Sequence, residues 1–333
     1  MKHKTLKSIA VLWMLLTAAS APAQSKYIQA VDEYVPAPGQ FVNTMPEATA
    51  ADTPATMAQK CTEALANGNG GMITLGAWGG YVTFHFDHPV VNVAGQRDFA
   101  VWGNAFANNA EPAIVMVSID ANQNQLPDDE WYELKGSEYE NNQTIHDYQL
   151  TYTYKALENV QWTDNQGGTG SVPRNSYHEQ EYFPLWLATQ GKLTFSGCRL
   201  PDNAVKSGTM YLLPAYDYGY ADNQPNSNRE GCSLDISWAV DGNGNPVTLD
   251  HVDFIRCYNA MNQVCPNIGE TSTEISGAED LHPEATGIIP QHSTLDAQPS
   301  SFYSLDGRKL NTLQPGVNIV KMKNGAIRKI IMK

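Results

Sequence analysis

The chain reads as an all-β protein, a sandwich or barrel of short strands, and three observations predict this. Runs rich in β-branched and aromatic residues recur along it, among them Gly80–Phe86, Phe99–Trp102, Ala113–Ile119 and Tyr148–Tyr154. Lys192–Gly197, Met210–Pro214, Ser233–Val240 and Val252–Tyr258 continue the series. Clusters of Gly, Asn, Asp and Pro punctuate the runs, as expected for a sandwich or barrel rather than βαβ units. A single segment carries helix signals.

Taken in order, the first element is a leader. Lys2, His3, Lys4 and Lys7 precede the apolar run Ile9–Leu16, and Ala21-Pro22-Ala23 supplies an A-x-A-type cleavage site. This predicts a secretory signal peptide over 1–23 and a mature start at Gln24. The run is too short to span a bilayer, no later segment approaches the ~20 apolar residues needed, and no Cys near the cleavage site offers a lipid anchor. The helix follows: Thr53 can cap it, Pro54 suits its first turn, Met57, Cys61, Ala64 and Leu65 share a face, and Gly68 stops it. In Val82-Thr83-Phe84-His85-Phe86 the apolar residues alternate, which turns His85 outward. Asp241–Pro246 reads as a tight turn with positive φ at its Asn-Gly pair.

Between two strand-like runs stands the most informative segment, Asp120-Ala-Asn-Gln-Asn-Gln-Leu-Pro-Asp-Asp-Glu-Trp131. Oxygen-bearing side chains fall at every second position (Asp120, Asn122, Asn124), and Asp128 and Asp129 close the run. A loop so spaced can wrap one hard cation, with the carbonyl near Leu126 as a further donor, so Ca2+ is the expected cofactor. Gln125 stands where an EF-hand-type loop has Gly, and Trp131 where it has a bidentate Glu. The alternative is an Asn/Asp-rich turn that needs no metal.

Charge narrows the partners. The chain has 21 Lys+Arg against 35 Asp+Glu. Three of the Lys lie in 1–23, and 301–333 holds seven basic residues with one acid, Asp306, leaving 11 basic and 34 acidic residues in 24–300. Such a body disfavours nucleic acid and anionic membrane and favours cations or neutral ligands. Five cysteines, Cys61, Cys198, Cys232, Cys257 and Cys265, are an odd number, so at least one thiol is unpaired. Their irregular spacing lacks C-x-x-C and argues against zinc; Cys198 and Cys257 lie in strand-like runs and read as small buried hydrophobes.

No G-x-S-x-G, H-E-x-x-H, P-loop or G-x-G-x-x-G occurs, and His178-Glu179 lacks the second His of a zincin because Tyr182 takes its place. Paired carboxylates for glycoside hydrolysis remain open, since their separation is a property of the fold. The expected ligand surface is the loop-like stretch Trp162–Trp186, with Trp162, Asp164, Asn165, Arg174, Asn175, Tyr177 and His178 beside the freely turning Gly167, Gly168 and Gly170. Aromatic faces next to amide and guanidinium donors suit a sugar or a planar organic ligand. The alternative is that Trp186 and Phe183 are core and only Trp162 or Tyr177 is exposed, and Trp186 reads better that way. Asp217 and Asp222, in Asp217-Tyr-Gly-Tyr-Ala-Asp222, are expected to border the same site or hold a second cation.

Several segments also carry a family resemblance: Glu33–Asn43, Gly79–Pro89, Asp98–Phe106, Glu111-Pro-Ala113 running into the Asp120 loop, Asp217–Asn223 and Asp235–Asp241. Over roughly 27–282 the chain resembles the secreted "cell surface protein" group of Bacteroidota. The resemblance implies a galactose-binding-like jelly roll, often encoded beside TonB-dependent receptors, including those for cobalamin. Residues 284–300 turn to Pro, Gln, Ser, Thr and His and read as a linker. Phe302–Leu310, Pro315–Lys321 and Ala326–Lys333 resemble a shortened type IX secretion sorting tail, with Asn318 where that pattern has Tyr. The domains expected are therefore a signal peptide 1–23, a β-sandwich body 24–283, a linker 284–300 and a sorting-like β tail 301–333. The expected function is a secreted, cell-surface, non-catalytic binding protein capturing a glycan or a small nutrient for a TonB-dependent receptor. A corrinoid is the nutrient the resemblance implies. A glycan hydrolase and a structural adhesin are the alternatives.

Overall fold

A computed structural model describes residues 24–285 apart from 267, and 299–332 apart from 305, 306, 315 and 323–326. The leader 1–23 and most of the 284–300 segment lie outside the described residues. The chain is mostly β, as the recurrent apolar runs predict. Among the described residues no helix is long and apolar enough to cross a membrane.

The strands that position the candidate sites are β1 (Ala30–Val35), β2 (Tyr81–His85), β3 (Ala113–Ser118), β4 (Trp131–Leu134) and β5 (Ile145–Thr153). After them come β6 (Val160–Asp164), β7 (Thr169–Val172), β8 (Lys192–Arg199), β9 (Ala239–Val240) and β10 (Phe254–Asn259). The larger sheet runs β1-β2-β10-β3-β4-β9, all antiparallel, with Tyr220–Ala221 also pairing to β3. A four-stranded sheet, β7-β6-β5-β8, contributes to the same core. Its strand β5 alternates as period-2 logic requires: Tyr148, Leu150 and Tyr152 are buried, while Asp147, Gln149 and Thr153 are exposed.

Trp78 joins the two sheets. Its ring meets Tyr148 edge-on at 4.7 Å, its indole N–H donates to the Cys198 carbonyl, and its own carbonyl accepts from the Tyr152 hydroxyl. Gly79, at φ +89°, must lack a side chain, because a Cβ there would sit 2.4 Å from that of Phe195. The helix α1 (Pro54–Leu65) has the cap expected: Thr53 accepts from the Thr56 N–H and Thr56 reciprocates. It buries Met57, Ala58, Cys61 and Leu65.

His85 does not stand free on an outward face. Both faces of β2 are covered, and His85 Nδ1 lies 2.9 Å from the Asp32 carboxylate. Residues 299–332 form a sheet of their own, Lys309–Leu310, Pro299–Ser304, Gly316–Met322 and Ile327–Met332 in that order.

Candidate functional site

The Asp120 loop joins β3 to β4, with Ser118 opposite Trp131. The Asp120 carboxylate accepts the N–H groups of Asn124 and Gln125 at 3.0 and 2.9 Å. Asp128 takes the side-chain amides of Asn122 and Asn124, and Asp129 the N–H groups of Ala121 and Asn122. The amide oxygens of Asn122 and Asn124 accept from Asn124 and Leu126 N–H. Gln125 takes φ +62°, the left-handed backbone for which the EF-hand loop uses Gly. The loop therefore gathers Asp120, Asn122, Asn124, Asp128 and Asp129 around one turn, with no Lys or Arg from 119 to 130. Carboxylate oxygens keep acceptor capacity beyond one N–H each, but those of Asp120, Asp128 and Asp129 do not all come within 4.8 Å of one another, so the loop offers oxygen donors of the hard-cation type without closing them into a cage. Trp131 supplies no seventh ligand; its ring lies under the Arg256 guanidinium at 4.1 Å.

The stretch Trp162–Trp186 is organised differently from the loop expected. Residues 160–172 form the hairpin β6-β7, with Asp164 accepting the Gln166 and Gly168 N–H groups and the Tyr148 hydroxyl. Trp162 is half-buried, and its ring lies over Gly170, where a Cβ would fall 2.4 Å from the indole. That glycine makes room for a ring and does not supply freedom. Arg174 donates to the carbonyls of Leu157, Glu179 and Gln180, so its guanidinium fixes the chain. Asn175 accepts the Tyr177 and His178 N–H groups, and the His178 ring packs edge-on to Phe41 at 4.8 Å. Among the aromatic residues of the stretch Tyr177 alone projects into solvent, 90% exposed, while Asn165, also exposed, donates to the Asp147 carbonyl. Trp186 and Phe183 are core. Nor do Asp217 and Asp222 flank one site, since Asp217 is exposed and Asp222 is buried.

Asp222 belongs to a group that no local pattern announces. Its Oδ1 accepts the N–H groups of Asn104 and Ala105, and its Oδ2 that of Glu274. Ligand oxygens of Glu111, Asp222 and Glu274 all lie within 4.8 Å of one another, with all three residues buried. Burial pushes Asp222 up to about 6 and Glu111 up to about 8, the latter helped by the Asp222 and Glu270 charges. Burial, then Glu111 and Asp222, pushes Glu274 up too, and burial takes nearby Glu270 to about 7. At neutral pH this group retains protons that surface carboxyls have lost.

A cavity of ligand size lies elsewhere, between β4, β5, β8 and the Asp241–Gly244 turn. It encloses about 540 Å³, within the range of small-molecule sites. Trp131, Tyr139 and Tyr258 give it aromatic surface, while Glu133, Glu140, His146, Asp147, Asp241 and Asn243 give it polar groups. A second hollow of about 460 Å³ shares His146, Asp147, Ser196 and Gly197 with it and adds Asn165, one of the ligand residues expected from sequence. A β-bulge builds the shared wall: Gly197 pairs with Tyr148 and Arg199 with Ile145, so His146 and Asp147 together oppose Cys198. Cys198 Sγ lies 3.1 Å from Glu133 Oε2 and 3.5 Å from His146 Nδ1. The sulfur is thus not the plain hydrophobe expected of a strand cysteine. Burial holds Glu133 at about 7, and burial with the Glu133 charge pushes the thiol well above its ordinary range. No protein-family model matches this chain, and no curated protein matches it.

All five cysteines are free and buried. Sequence reasoning missed Glu133, Tyr139, His146 and Cys198 as a group because three separate strands and loops supply them. The one available signal was Glu133 itself, a carboxylate inside the strand pattern Trp131–Leu134.

Proposed function

We propose that this is a secreted, cell-surface binding module that captures a glycan or a small polar nutrient for a TonB-dependent receptor, with a Ca2+-stabilised loop beside its site. The observation carrying the reading is the 540 Å³ cavity, whose aromatic walls and surrounding carboxylates and amides suit a hydroxyl-bearing ring. The acidic body disfavours anionic ligands, which leaves neutral glycans ahead. A corrinoid enters through the resemblance to the Bacteroidota surface group and belongs in the same screen.

One observation favours a second reading, an extracellular glycan hydrolase. Glu133, raised to about 7 by burial, lines the same cavity as Asp241, whose carboxyl the Asn245 side chain holds below the usual range, and one raised carboxyl beside one lowered is the pattern of an acid–base pair. Calorimetry against a panel of neutral glycans and corrinoids, run beside a turnover assay on the same compounds, separates the two. Saturable binding without product formation is expected. Turnover of any panel member establishes the hydrolase instead, and no binding across the panel removes the capture reading.

A further inference from the structure

Three unlike donors meet on the cavity wall: a thiol, an imidazole and a carboxylate. Ligands of one tetrahedral zinc-class ion, at bond lengths of 2.0–2.3 Å, lie about 3.3–3.7 Å apart. The sulfur-to-carboxylate and sulfur-to-imidazole separations of 3.1 and 3.5 Å fall beside that range. Two of the donors are rigidly placed. Cys198 is tied at its N–H to the Tyr258 hydroxyl and at its carbonyl to the Trp78 indole, and Glu133 sits in β4 between β3 and β9. The three do not yet close to within 4.8 Å of one another as the Glu111 group does, so one must move. The exposed His146 has the room, though its ring must leave Tyr139, 4.5 Å away. Absence of C-x-x-C excludes a knuckle-type zinc site but not one assembled across two sheets.

We propose that Cys198, His146 and Glu133 bind one borderline-soft divalent cation of the zinc class, leaving a coordination position open to the cavity. Binding replaces the Cys198 S–H proton, which leaves to solvent, by a sulfur–metal bond. The inference uses the same cavity as the capture reading but needs no organic ligand, so either can fail alone. The test is chelator competition with Zn2+ on the reduced, full-length protein, in excess Ca2+ to occupy all-oxygen sites, together with Co2+ spectra. One equivalent should bind, with proton release and a near-ultraviolet sulfur-to-cobalt charge-transfer band. Cys198→Ser should abolish the band, and exposed His146→Ala should weaken affinity at least tenfold while leaving the melting temperature of the metal-free protein unchanged. The proposal is overturned by no stoichiometric binding, by binding without the charge-transfer band, or by binding unchanged in both variants. Loss in Glu274→Gln alone would overturn it too, by placing the ion at the buried acid group.

Discussion

Two acidic groups in this molecule are built in opposite ways. The Asp120 loop takes all its carboxylates from ten consecutive residues, keeps them at the surface and satisfies them with its own backbone. The Glu111 group takes its members from positions as far apart as 111 and 274 and buries every one. The first costs little to form, because water and local N–H groups solvate each charge. In the second, burial of like charges is tolerated only because protons are retained and because N–H groups converge on Asp222. Acidic composition alone therefore says nothing about which carboxylates govern stability.

The largest expected effect is a pH dependence carried by the buried group. Unfolded carboxyls titrate near about 4, whereas Asp222, Glu270 and Glu111 are raised to about 6, about 7 and about 8. Groups raised in the fold contribute fully below the unfolded value and lose that contribution as pH rises through the folded one. Stability in EDTA should therefore fall by about 3–6 kcal/mol between roughly pH 4 and pH 8, and denaturant titrations across that range check it. A flat profile would dissolve the contrast between the two groups.

Next in size, Asp222→Ala strands three backbone N–H groups and should cost about 2–4 kcal/mol even though it removes a charge. Glu274→Gln tests the opposite sign: it keeps the shape, removes the cost of holding a proton that the unfolded chain releases, and should raise stability at neutral pH by about 1–2 kcal/mol while flattening the pH profile. Equal losses in both variants would mean that packing, not charge, dominates.

Smaller still is the loop. Asp120→Ala loses two N–H contacts at an exposed site and should cost about 1 kcal/mol without calcium. In calcium the gap should widen, because an ion that binds only the native state stabilises wild type by mass action. Identical melting curves in calcium and EDTA for wild type would remove the metal from the account of this loop.

The same contrast explains what could be read in advance. Val82, Phe84 and Phe86, the Thr53 cap and the Asp120 loop are local patterns, and each appears where its spacing places it. Glu270-Thr-Ser-Thr-Glu274 looks like a polar surface loop, yet all five residues are buried, since their partners Gln40, Thr74 and Glu111 arrive from distant segments. Gly167, Gly168 and Gly170 suggested a pliant loop between Trp162 and Trp186, but Gly170 accommodates an indole in a hairpin. The cavity was illegible for the same reason: Cys198 meets a carboxylate 65 residues away through sheet packing and a histidine 52 away through a bulge.

Two tyrosines separate the site expected from sequence from the one the fold builds. Tyr139 lines the cavity, while Tyr177 projects from the Trp162–Trp186 stretch. With any glycan or corrinoid from the screen, calorimetry on Tyr139→Ala and Tyr177→Ala compares them directly. Tyr139→Ala should weaken binding by about 1–3 kcal/mol, the loss of one stacking face, with Tyr177→Ala at wild-type affinity. The reverse pattern, loss in Tyr177→Ala and none in Tyr139→Ala, would contradict the cavity as the ligand site.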